Sequence, residues 1–239
     1  MKSAALLVLF LSACAWAQPL SVYSEFAKID ATGKVTSPVS PREILSPAVA
    51  RNAWSSFQIV VTGPEKAAWQ LYVAQNPENA VMVTLYREAG DRLEKVTQPV
   101  PGTGTQVFWM DIFTAANAPV ERIKVEPQLH LNEDWVIYPM EARIMDAVAP
   151  AGAVAAGTAS PWDVMKAVVC GGAVTAGEAP KDPTQGSLRY RNAMQDRALA
   201  AKADKAALQE RFGPCDAQPA ADNPERYLRI RDLLLNGRP

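Results

Sequence analysis

Histidine is nearly absent: His130 is the one histidine in 239 residues. A Ser-His-Asp or Cys-His system would have to be built on it. No Gly-x-Ser-x-Gly elbow is present, and His130 falls on the polar face of a strand pattern, where a solvated side chain is expected. Cysteine is scarce too, with Cys14, Cys170 and Cys215 only. One histidine and widely spaced cysteines do not make a four-ligand zinc site. No EF-hand-like ladder of Asp and Asn occurs, and Asn132-Glu133-Asp134 reads as a plain turn. Gly102-Thr103-Gly104-Thr105 lacks the P-loop lysine and any following helix, so it reads as a hairpin loop. No metal and no cofactor are expected. The formal net charge of −1 gives no field that favours nucleic acid. Apolar runs are short. The longest, Ala4–Leu11, falls well below the roughly 20 residues that span a bilayer, so no transmembrane segment is expected.

What is present begins with that run. Lys2, the apolar stretch and a small-residue exit form a signal peptide over residues 1–17. Two processing signals overlap in Leu11-Ser12-Ala13-Cys14-Ala15-Trp16-Ala17-Gln18. Leu-Ser-Ala-Cys is a lipobox that would leave Cys14 lipidated, and Ala-Trp-Ala before Gln18 is an ordinary cleavage site. The expectation is export to the periplasm or cell envelope, either free or lipid-anchored through Cys14. In an oxidising compartment Cys170 and Cys215 are then expected to pair. The bond would close a loop of about 45 residues, worth on the order of 4 kcal/mol in the chain-entropy account.

From residue 20 to 146 the hydrophobic period is two, broken by turn residues. Phe57, Ile59 and Val61 alternate with Ser56, Gln58 and Val60, and Trp69, Leu71 and Val73 follow. Val81, Val83 and Leu85 come next, then a short strand at Leu93–Thr97. Val107, Trp109 and Phe113 alternate with Phe108, Met110 and Ile112. In Arg122–Leu131 the residues Ile123, Val125, Leu129 and Leu131 oppose a polar set. Pro127 lacks a ladder donor and suggests an edge strand or a bulge. Seven or eight short strands without helical patterning imply an immunoglobulin-like antiparallel β-sandwich.

At Ala147 the composition changes. Residues 147–159 are Ala/Gly-rich and uncharged, as in a linker. Residues 160–239 carry helical patterns: a short helix opened by Ser160-Pro161, a long one from Ser187 to Phe212, and a final one after Asn223-Pro224. This region reads as a small helical appendage stapled by the cysteine pair.

Two side-chain classes carry candidate chemistry. Asp111 interrupts an apolar strand in phase with Val107, Trp109 and Phe113. A half-buried carboxylate in that position is a structural hydrogen-bond acceptor first. Paired with Glu133 or Asp134 it would be a glycosidase-type dyad. The aromatic residues Trp135, Tyr138 and Trp162 are candidates for stacking on a ligand. Trp135 is the one expected to be exposed, because it is out of phase with Val136, Tyr138 and Met140.

One passage is more specific. "PAVARNAWSSFQIVV" resembles the entry strand of the N-terminal β-sandwich of glycoside hydrolase family 123-type proteins, through Arg51, Asn52, Phe57 and Gln58. "QVFWMDIFTAANAPVERIKVEP" is similar to a later strand of the same domain, through Trp109, Asp111, Ala118 and Pro119. The resemblance covers about residues 40–145. It implies the sandwich and an ancillary scaffold or glycan-contact role, and it carries no catalytic residue. The catalytic barrel of that family has no counterpart, since the remaining stretch is too short for a barrel of roughly 250 residues. The expectation is a non-catalytic envelope protein that binds an envelope protein or a glycan. A carbohydrate-binding accessory role and a carboxylate-dependent glycoside hydrolase are the alternatives.

Overall fold

The structure is a computed structural model and describes residues 18–25, 27–36, 46–89, 92–149, 198–199 and 202–212, with Cys170 and Cys215. Among the described residues the elements are β1 (Leu20–Ser24), β2 (Ala48–Arg51), β3 (Ala53–Val61), β4 (Ala68–Asn76), β5 (Met82–Ala89), β6 (Arg92–Val96), β7 (Val100–Thr103), β8 (Gln106–Thr114), β9 (Arg122–Leu131), β10 (Asp134–Ile137), β11 (Glu141–Val148) and α1 (Lys205–Phe212). One sheet has the order β1-β3-β8-β5-β6. The other runs β2-β11-β9-β4-β7, with β10 also paired to β9. All described strand pairs are antiparallel except β2 with β11. The mainly β architecture expected from the period-two pattern is the one observed.

The sheets face each other across one apolar core. Phe57, Ile59 and Val61 from β3, Leu85 from β5 and Phe108, Met110 and Ile112 from β8 meet Trp69, Leu71 and Val73 from β4. Ile123, Val125 and Leu129 from β9 complete the contact. Each large side chain removed from water here contributes about 1.5–3 kcal/mol. Trp69 is held in place from both ends. Its indole lies against Gly102 of β7, where a Cβ would overlap the ring. Its Nε1 donates to the Gly104 carbonyl at 3.0 Å. The stretch expected to be a hairpin loop is therefore partly a strand, because Gly102 pairs with Trp69 in the sheet.

The inner strands β3 and β8 of the five-stranded sheet are buried on both faces. Ser56, Gln58, Val60, Val107, Trp109 and Asp111 point away from the second sheet and are nonetheless buried. Part of the cover is residues 24–36. Gln58 Nε2 donates to the carbonyls of Ser24 and Ala27, and the hairpin at Gly33 lies against Val60 and Thr105. The alternation seen in β3 and β8 thus separates two buried faces, not a wet face from a dry one.

Pro127 lies in an interior strand, not at an edge. β9 is flanked on one side by β4 and on the other by β11 and β10 in succession. Pro127 sits where that second neighbour changes. Tyr138 N donates to its carbonyl at 2.9 Å, so the side of Pro127 that lacks an N–H faces the same junction, where the regular ladder is already interrupted. β11 runs to Val148, and Ala149 N donates to the Arg51 carbonyl at 2.9 Å. The sandwich therefore extends a few residues past the expected boundary at 146.

Of residues 150–239 only fragments are described. Cys170 and Cys215 are joined, with Cα atoms 5.7 Å apart. The single long helix expected from Ser187 to Phe212 is interrupted. Lys202 N and Ala203 N fold back on the Leu199 carbonyl. Asp204 then caps α1 by accepting from Ala206 N at 2.8 Å. Aspartate at an N-cap satisfies a helix's orphan donors, so a new helix starts there. The remainder of the expected linker, the helix at 160 and the last helix lie outside the described residues.

Candidate functional site

Side chains on the outer face of the six-stranded sheet are set by register. Asn132 and Glu133 both have positive φ, 52° and 74°. They join β9 to β10 in the two-residue turn that suits a right-twisted hairpin. That turn pairs Trp135 with His130 and Ile137 with Gln128. On the other side of β9, Gln70 pairs with His130 and Tyr72 with Gln128. Paired residues point to the same face, so six side chains form two rows across three strands: Gln70, His130, Trp135 and Tyr72, Gln128, Ile137.

The rows are fastened together. The Trp135 and His130 rings stack with centroids 4.5 Å apart and planes at 27°. Tyr72 meets Trp135 edge-on at 5.4 Å, and its hydroxyl donates to Gln128 Oε1. Trp135 remains 52% exposed and Ile137 50%. Of the other described tryptophans, Trp69 and Trp109 are buried and Trp54 is half-buried against Phe113. Trp135 is thus the one described indole held by its neighbours and still open to solvent. An amphipathic ring in that state is suited to contact with a ligand's apolar face.

Charge is distributed unevenly along this face. Beyond Gln128 on β9 come Glu126 and Lys124, 3.7 Å apart. Farther along, Arg122 is paired with Glu141, which also accepts from Ser46 Oγ at 2.8 Å. The Ser46 hydroxyl, and then Arg122, hold the Glu141 carboxyl below its ordinary range. Arg143 is lowered, first by burial and then by its neighbour Arg122. At the other end, Glu133 is exposed in the turn beside Trp135, and Asp134, also exposed, opens β10 opposite Leu131.

The other candidates are placed elsewhere. Tyr138 does not join Trp135. It packs on the inter-sheet core, and burial, with Tyr23 as the lesser cause, raises its phenol. Its phase with Met140 turns it inward, away from Trp135. Asp111 is fully buried on the outward face of the five-stranded sheet and accepts from Ser56 Oγ at 2.9 Å. Glu133 and Asp134 stand in a turn of the other sheet, so the carboxylate dyad is not brought together. Cys14 and Trp162 lie outside the described residues. Among the described residues no group of three or more His, Cys, Asp or Glu is placed to hold a metal ion, and no helix is long and apolar enough to cross a membrane.

Gln70, Tyr72 and Gln128 were not singled out from sequence, and His130 was read only as a solvated strand side chain. Each lies on the polar phase of its strand, but only the pairing of β4 with β9 puts them beside Trp135.

No protein-family model matches the chain, and no curated protein matches it. Among solved structures, a family 123 glycoside hydrolase from Clostridium perfringens is similar over 62% of this chain and 32% of its own, with 9% identity and a TM-score of 0.40. A Bacteroides ovatus GH5 xyloglucanase, solved with a XXXG heptasaccharide, is similar over 46% of this chain and 19% of its own, with 12% identity and a TM-score of 0.30. The chain thus spans a third or less of either structure, and the likeness to the family 123 chain is weak and partial.

Proposed function

We propose that this chain is an exported, non-catalytic binding module of the cell envelope and that it binds through the Trp135 face of its six-stranded sheet. The observation that carries this is Trp135 itself, half exposed yet pinned by His130 and Tyr72. A large, rigid ring loses little conformational entropy on binding and is the kind of residue on which interfaces concentrate their energy. Export rests on the signal-peptide pattern at residues 1–17 and accords with the Cys170–Cys215 bond. The correspondence of residues 40–145 to the family 123 sandwich belongs to the same proposal, carried by the Arg51-Asn52 and Trp109–Pro119 sequence patterns.

The test has two arms. Purified oxidised protein is co-sedimented with cell-wall and membrane fractions beside Trp135→Ala. Retention of the wild type by one fraction, weakened about tenfold in the variant, supports the proposal. Equal retention of both proteins, or of neither, overturns the assignment of the face. The second arm is a turnover screen on aryl glycosides and esters. Hydrolysis that disappears in a folded Asp111→Asn variant would overturn the non-catalytic reading.

Address is tested by Cys14→Ser with membrane fractionation. Release of the variant from a membrane-bound wild type identifies a lipid anchor. Unchanged fractionation identifies the free form or another attachment.

A further inference from the structure

From the chemistry of the Trp135 face we infer that its ligand is a neutral, pyranose-based glycan; this rests on the binding-module proposal and adds the ligand class. Three features of the face point there. The first is shape. Gln70, His130 and Trp135 lie on adjacent strands, spanning two strand spacings or about 10 Å across an open sheet face. That is a platform for a short oligosaccharide lying flat. A peptide added as a strand would need free main-chain groups at a sheet edge; β9 and the Gln70 end of β4 are paired on both sides, and the one described edge at this face is the four-residue β10, which pairs with β9 alone and is short for such an addition.

The second is hydrogen-bonding character. Around the indole stand two amides, an imidazole and a phenol: Gln70, Gln128, His130 and Tyr72. Each both donates and accepts, as the hydroxyls of a sugar do. Two of them, Tyr72 and Gln128, are already bonded to each other and so are held in place. An exposed indole supplies the surface for the ring's C–H face, and the amides address its rim.

The third is charge. The charged groups that border the platform on its own side are Glu133 in the adjoining turn and Glu126 beyond Gln128; Asp134 pairs with Leu131 and belongs to the opposite face. The first base along that face of β9, Lys124, lies 3.7 Å from Glu126. A uronate, a phosphate-bearing glycan or a nucleic acid would bring like charge against this acidic border, at a cost in affinity. A neutral saccharide meets no such opposition.

The experiment is affinity electrophoresis of the full oxidised chain in gels containing neutral polysaccharides (hydroxyethyl cellulose, laminarin, mannan) or acidic ones (polygalacturonate, alginate), at low and high salt. Retardation by at least one neutral polymer, insensitive to salt and reduced about tenfold by Trp135→Ala, is the expected result. Gln128→Ala, which leaves the indole in place, is expected to weaken retardation by a smaller factor. Should Trp135→Ala fail to fold, as judged by its melting curve, Gln70→Ala together with Gln128→Ala replaces it. Salt-sensitive retardation by acidic polymers alone overturns the ligand class. Retardation unchanged in every variant overturns the site. Retardation by no polymer overturns the glycan inference, and if Trp135-dependent retention by an envelope fraction persists, the binding-module proposal stands without it.

Discussion

Asn52 shows how much a single residue can decide. It separates β2 in one sheet from β3 in the other, adopts a φ of 53°, and donates its Nδ2 to the Ala149 carbonyl at 2.8 Å. Asparagine tolerates the left-handed region better than most residues. Asn52→Ala is expected to lose about 1–2 kcal/mol in urea unfolding, from strain and the lost bond together. Asn52→Gly, which removes only the bond, is expected to lose less. Equal losses would show that backbone strain is not a factor there. Glu133 presents the opposite case, a residue with a Cβ held at φ 74° in the β9–β10 turn. Glu133→Gly is expected to raise stability by about 0.5–1 kcal/mol in the same assay, since glycine carries no Cβ penalty. Glu141 gives the pH signature. Its folded carboxyl titrates below its unfolded value, so its contribution is present above the ordinary glutamate range, about 4.3, and fades as pH falls through the lower folded value. The pair is partly exposed, so its worth is on the order of 0.5 kcal/mol. The melting-temperature gap between wild type and Glu141→Gln is expected to be steady near neutrality and to close in acid.

Elements differ in how legible they were. β9 was plain from Ile123, Val125, Leu129 and Leu131, because one of its faces is wet and the other dry. β3 and β8 were recognisable as strands, but not which of their faces met the other sheet, since both sets of side chains are buried. That is why Asp111 was legible as an interrupting carboxylate and not as a group on the outward face. β7 was hidden behind its glycine. Gly102 reads as a loop residue until Trp69 is seen lying on it. Gly102→Ala is expected to cost about 1–3 kcal/mol through overpacking, and a double-mutant cycle with Trp69→Leu is expected to show the penalty shrinking. An undiminished penalty would place the clash elsewhere. The break before α1 was missed in the sequence, because Asp204, the capping residue, lies in a run of alanines and charges that reads as continuous helix.

At the scale of the whole molecule, the Cys170–Cys215 bond closes a loop outside the strands of the sandwich. No cysteine lies between residues 18 and 149. Mass spectrometry of the exported protein is expected to recover Cys170 linked to Cys215, and reduction is expected to leave the β-sheet circular dichroism of the sandwich unchanged at moderate temperature. Loss of the sheet signal on reduction would mean that the two parts fold as one unit. The sequence by itself determined the strand periods, the turns and the exposure of Trp135, because each follows from neighbours a few residues apart, and the cysteine pair, because only Cys170 and Cys215 follow Cys14. Only the tertiary structure decided what surrounds Trp135 and which way Tyr138 turns. Gln70 and His130 are sixty positions apart in the chain yet adjacent in the sheet. A period-two pattern fixes the face on which a side chain stands, whereas the partner strand and its register are chosen by burial of the two sheets against each other.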